Sequence, residues 1–138
     1  MALKSICWHG DVSREVRARS LHTLVLLQDP GKEGPEPLEV GEPLYLMCPT
    51  EENDGYLGLG EVIALKSCVI RDIEPVDLAR GLPPWNTVPG VIDALKRTYE
   101  HKRTEIGRNT PVTVVTLRRN TYSLKHLNNY FKNKRAGK

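Results

Sequence analysis

With 138 residues, 39% hydrophobic and 27% charged, the chain suits one globular domain whose core needs no metal or disulfide. Its net charge of +3 conceals a division: residues 1–110 hold 13 Lys+Arg and all 17 Asp+Glu, whereas residues 111–138 hold 7 Lys+Arg and no acid. No segment has the ~18 apolar residues of a membrane span. The start, MALKSICWHG, lacks the apolar stretch of a secretory leader.

In chain order, the first readable element is residues 15–28, EVRARSLHTLVLLQ. Val16, Ala18 and Ser20 alternate with Arg17, Arg19 and Leu21 before the apolar run Leu24–Leu27, which predicts a strand that becomes fully buried. Asp29 to Pro37, DPGKEGPEP, supports neither strand nor helix and reads as a surface loop. Val40-Gly41-Glu42-Pro43 is a turn leading into a second buried strand, Leu44 to Cys48. Glu51 to Gly55 is another turn. Tyr56 to Ile70 predicts a strand or a pair of strands, with Gly58 and Gly60 marking a bulge or bend. Pro75 to Pro89 reads as irregular. A helix follows, capped by Thr87, with Pro89 in its first turn, Ile92, Leu95 and Tyr99 at helical spacing, and Gly107 as its stop. Pro111 to Leu117 is a strand with Val112, Val114 and Leu117 inward. Asn120 or Ser123 then caps a short helix carrying Leu124, Leu127 and Phe131. This order predicts an α+β fold: a small, partly closed β-barrel with one main helix and a short basic C-terminal helix.

Two stretches carry a family resemblance. Gly10-Asp11-Val12-Ser13-Arg14-Glu15-Val16-Arg17 matches the pattern G-x-K-x-x-E-x-R at Gly10, Glu15 and Arg17, with Val12 in place of Lys. The second begins at Leu38-Glu39-Val40-Gly41-Glu42-Pro43-Leu44-Tyr45-Leu46, like a "Leu-x-x-Gly-Asp" entry into a strand. It continues through Gly60-Glu61-Val62-Ile63 and Asp72 to Arg80. It closes on the helix ending Leu95-Lys96-Arg97-Thr98-Tyr99 and the strand Val112 to Leu117. Over residues 3–118 the chain resembles the ASCH domain family of the PUA-like superfamily. The resemblance implies a small β-barrel beside one or two helices, with a cleft. Some members are similar to amidohydrolases or nucleases that use a Lys with a Thr or Glu in that cleft. Val12 cannot serve as a base, activate a nucleophile or contact a phosphate, which argues against catalysis.

Four groups of residues bear on chemistry. Arg14, Glu15, Arg17 and Arg19 form the densest cluster. On a strand Arg17 and Arg19 share a face with Glu15, which suits bidentate binding of a phosphate or carboxylate, or else a solvated face of internal ion pairs. Trp8, beside His9, either stacks a base or fills the core. Trp85 either rims a cleft or plugs one. In the basic end, Arg118, Arg119, Lys125, Lys132, Lys134 and Arg135 are interleaved with Tyr122, His126, Asn128, Asn129 and Tyr130, a mixture that suits phosphate contact with stacking. The alternatives there are a solvated terminus or a membrane-surface helix, and the apolar stripe is short for the latter. Cys7, Cys48 and Cys68 share no C-x-x-C spacing and read as reduced thiols of a cytoplasmic protein. The scattered His residues show no metal-ligand spacing, and no cofactor is expected.

These readings converge on a domain at 1–119 followed by a basic helix or tail at 120–138. The expected function is nucleic-acid binding, to RNA or single strands before duplex DNA, with no membrane partner. The alternative is a small hydrolase, acting on a modified nucleoside or on RNA, with Glu15 as its acid/base and Arg17 as its anion stabiliser.

Overall fold

The computed structural model describes residues 4–8, 12–28, 38–49, 55–120 and Lys132. Five strands form one curled sheet: β1 (Lys4–Cys7), β2 (Leu21–Leu27), β3 (Pro43–Met47), β4 (Tyr56–Val69) and β5 (Pro111–Asn120). Their order is β1-β3-β4-β5-β2. β1 runs parallel to β3, and all other pairs are antiparallel. Three α-helices accompany them: α1 (Ser13–Ala18), α2 (Pro75–Arg80) and α3 (Val88–Thr98). Short 3-10 turns at Ile70–Asp72 and Glu100–Glu105 complete the described chain. The architecture is α+β with a half-barrel sheet, and no described helix is long and apolar enough to cross a membrane.

β5 lies between β2 and β4 and organises two cores. Its β-branched residues suit a pleated strand buried on both sides. Val115 and Leu117 join Trp8, Val16, Leu24, Leu44, Leu46 and Val62 on the inner face. Val112 and Val114 pack on the opposite face with Val25, Leu27, Ile70, Val91, Leu95 and Tyr99. α3 thus covers the outer face with its Val91, Ala94 and Leu95 stripe. The Thr87 side chain accepts a hydrogen bond from the Gly90 N–H at 3.1 Å, the expected cap, worth about 1 kcal/mol. Fully burying a side chain such as Leu95 contributes roughly 1.5–3 kcal/mol.

Bulges supply the curl. Leu46 pairs with Gly58 and Met47 with Tyr56, leaving Leu57 as an extra residue. Val62 pairs with Leu117 and Ala64 with Thr116, leaving Ile63 as another. Each bulge bends its strand and increases the local twist. Gly58, at φ 123°, sits beside the first, where a bend was expected.

Three expectations are corrected. Residues 15–28 are not one strand: Ser13–Ala18 is helical and the strand starts at Leu21. Residues 75–89 are not wholly irregular, since α2 occupies Pro75–Arg80 with a proline in its first turn. Lys66 on β4 anchors that helix through ion pairs with Asp77 at 3.0 Å and Glu74 at 3.3 Å. α3 ends at Thr98, well before Gly107, because Tyr99 turns into the outer core and a 3-10 turn follows. The expected C-terminal helix lies outside the described residues.

Two glycines separate conformational strain from overlap. Gly41 has φ 90° with open space beyond its Cα, and Gly55 has φ 68° with the Cys48 carbonyl where a Cβ would go. The Cys48 N–H also donates to the Gly55 carbonyl at 2.8 Å, joining the end of β3 to the start of β4. Gly41→Ala should cost about 1–2 kcal/mol, the left-handed penalty alone. Gly55→Ala should cost distinctly more, because that junction must open. Urea denaturation of the two variants measures the difference.

Candidate functional site

The predicted arginines meet at one end of the sheet, by a route the sequence did not suggest. In a helix, Arg14 and Arg17 are three residues apart and lie on one side, away from the fully buried Val16. Arg14, Glu15, Arg17 and Arg19 all retain solvent access. The strand-face pairing of Arg17 with Arg19 is therefore replaced by Arg14 with Arg17. Arg19 lies beyond the helix and donates from Nη1 to the Ala79 carbonyl of α2 at 3.4 Å. That contact brings in Arg80, the last residue of α2, which goes unnoticed in the sequence because α2 itself reads as irregular.

Arg118 and Arg119 arrive from the end of β5, and the strand alternation sends them to opposite faces. The Arg119 backbone N–H donates to the Ser20 carbonyl at 2.7 Å, and its Nη2 donates to the Arg17 carbonyl at 2.8 Å. Arg118 points outward and pairs with Glu61, its cross-strand neighbour, at 3.5 Å. Two arginine groups distant in sequence thus share one end of the fold. Of the tail residues, Lys132 is exposed. Lys125, Lys134 and Arg135 lie outside the described residues, as do His9 and Gly10.

A helix of six residues does not stand by itself, and the carbonyls at its end need donors. Arg119 serves the Arg17 carbonyl. His22, fully buried on β2, places Nε2 at 3.0 Å from the Val16 carbonyl and 3.1 Å from the Arg19 carbonyl. Since both partners are acceptors, Nε2 carries the proton. Nδ1 is buried without a partner, so the neutral ring is the form that fits. Burial holds the His22 pKa below its ordinary value of 6.5; the two carbonyls oppose this, and the Arg19 and Arg119 charges reinforce it.

Trp8 is only 1% exposed and packs edge-on against the His22 ring, with centroids 5.4 Å apart. Its faces are enclosed by the inner core, so it is a core residue and not a stacking platform. Val12, the residue at the Lys position of the family pattern, also packs against that core. Trp85, for which the sequence allows rim or plug, is half-buried and touches both cores. A cleft of about 570 Å³ lies elsewhere, at the opposite end of β5, lined by Leu27, Gln28, Lys102, Arg108 and their neighbours. Among the described residues no cluster of His, Cys, Asp and Glu is arranged to hold a metal ion.

The chain matches no protein-family model, no curated protein and no solved structure.

The His22 geometry fixes a pH dependence. Its folded-state pKa is depressed, so the contribution is complete above the unfolded value near 6.5 and is lost as pH falls toward the folded pKa. Chemical denaturation at several pH values should show stability falling below about pH 6.5. His22→Gln, which keeps a donor but does not titrate, should flatten that limb of the profile.

Proposed function

We propose that this chain is a nucleic-acid-binding module of ASCH type, PUA-like in fold, acting on RNA or single strands. The observation that carries the reading is the convergence of Arg119 with α1, which bears Arg14 and Arg17, and with the segment of Arg19 at one end of the sheet, Arg118 lying at the same end on the opposite face. In sequence, the run from residue 111 onward holds 7 Lys+Arg and no acid. Residues 1–110 are net acidic, so a polyanion would be drawn to local clusters of arginine rather than to the body as a whole. Guanidiniums held by backbone contacts can meet phosphates bidentately with little ordering cost. The curled α+β sheet supports the family reading at the level of architecture.

The hydrolase alternative gains no support from the geometry. Glu15 is exposed on α1, Val12 faces the core, and the described cleft lies at the other end of β5.

Filter binding of a short RNA across a salt series tests the proposal. Affinity should fall steeply with salt as counterions are released. Replacing Arg14, Arg17 and Arg118 together by Gln should weaken binding and lower the logarithmic slope by about 0.7 for every phosphate no longer neutralised. Absence of binding, or binding indifferent to salt, would overturn the reading.

A further inference from the structure

The sheet has a second outward surface that no described helix covers. On β3, Leu44 and Leu46 turn into the inner core, as does Cys48 just beyond the strand, so Tyr45 and Met47 turn outward. Tyr45 pairs with Leu59 on β4, and Met47 pairs with Tyr56. Tyr45 is 40% and Tyr56 50% exposed, against nearly complete burial for the inward residues of the same strands. The two rings meet edge to face with centroids 6.1 Å apart. Large aromatic rings are costly to leave in water, and two in mutual contact on an open strand surface form a ready stacking platform.

The charge beside this platform is set by the sheet register. Arg118 lies on the same face, across β4 from β3, paired with Glu61. From strand spacing and rise, Tyr45 and Arg118 are separated by roughly 12 Å at the backbone.

We infer that Tyr45 and Tyr56 stack the bases of a single-stranded nucleic acid whose phosphates are held at the Arg118 end. This rests on the nucleic-acid reading above and deepens it, because it names the feature that would select unpaired strands. A duplex keeps its bases stacked on one another and has no free base face to offer the tyrosines. A sheet surface with exposed aromatics and an arginine on the same face accepts one or two unstacked bases without requiring a particular sequence. It also transfers to the tyrosines the stacking role that the buried Trp8 cannot fill.

Fluorescence anisotropy with a labelled oligouridylate, an abasic strand of the same length and an RNA duplex tests the inference. The double variant Tyr45→Ala/Tyr56→Ala should bind the oligouridylate on the order of tenfold or more weakly, the loss expected for one stacked base. Its affinity for the abasic strand and the duplex should be unchanged. Tyr45→Phe/Tyr56→Phe keeps both ring faces and should bind all three like the parent chain, which separates stacking from misfolding. Unchanged oligouridylate binding by the alanine variant overturns the platform, as does an equal loss on the abasic strand. So does a self-associated form of the chain that the alanine variant abolishes, since the face would then serve a second copy. If the parent chain binds none of the three probes, the nucleic-acid reading itself fails.

Discussion

Alternation along β5 is the constraint on which the rest of the molecule depends. Each successive residue of this strand must satisfy a different environment, because both of its faces are packed. Val115 and Leu117 close the inner core, and Val112 and Val114 close the outer one. The same two-residue period continues past the apolar stretch into Arg118 and Arg119. It therefore decides that one arginine reaches out along the sheet surface while its neighbour reaches under α1. A single slip of register would exchange the two and also turn the valines away from their cores.

From this strand the arginine-bearing end is assembled by backbone carbonyls on the α1 face and by the Arg118–Glu61 ion pair on the other. α1 is too short to persist alone, yet it positions Arg14 and Arg17. Its terminal carbonyls are occupied by His22 from β2 and by Arg119 from β5. The arginine that belongs to the charged surface is thus also a structural donor. Removing it would disturb charge and helix placement together, whereas changing Arg118 leaves α1 in place and unpairs Glu61.

How much of this was legible in the sequence depended on how local the deciding interaction was. α3 was legible because Thr87 and Pro89 mark its start and its apolar spacing persists over three turns. β5 was legible because a run of β-branched residues leaves few alternatives. α1 was misread because six residues contain too little of either period, and Val16, Ala18 and Ser20 satisfy alternation by coincidence. Its helical state is decided by donors on β2 and β5. The outward tyrosines were hidden for a related reason: Leu44 to Cys48 is an unbroken apolar run, and only the distribution of helices over the finished sheet leaves one of its faces open. β1 escaped detection because it has four residues and pairs in parallel with β3, which follows much later in the chain.

The topology carries a consequence for how the chain acquires its shape. Among the described strands β2 lies at the edge of the sheet and pairs with β5, much later in the sequence, with one isolated bridge from Thr23 to Gly81. During synthesis its apolar run, Leu24 to Leu27, must therefore wait until almost the entire domain has emerged. Such distant pairings make folding slow, and they leave a sticky strand unshielded in the meantime. A nascent chain halted just before β5 would have β1, β3 and β4 available for a partial sheet and β2 without its ladder partner, with the single bridge to Gly81 at most. Completion of the domain, rather than growth of its early part, is the step that removes its tendency to aggregate.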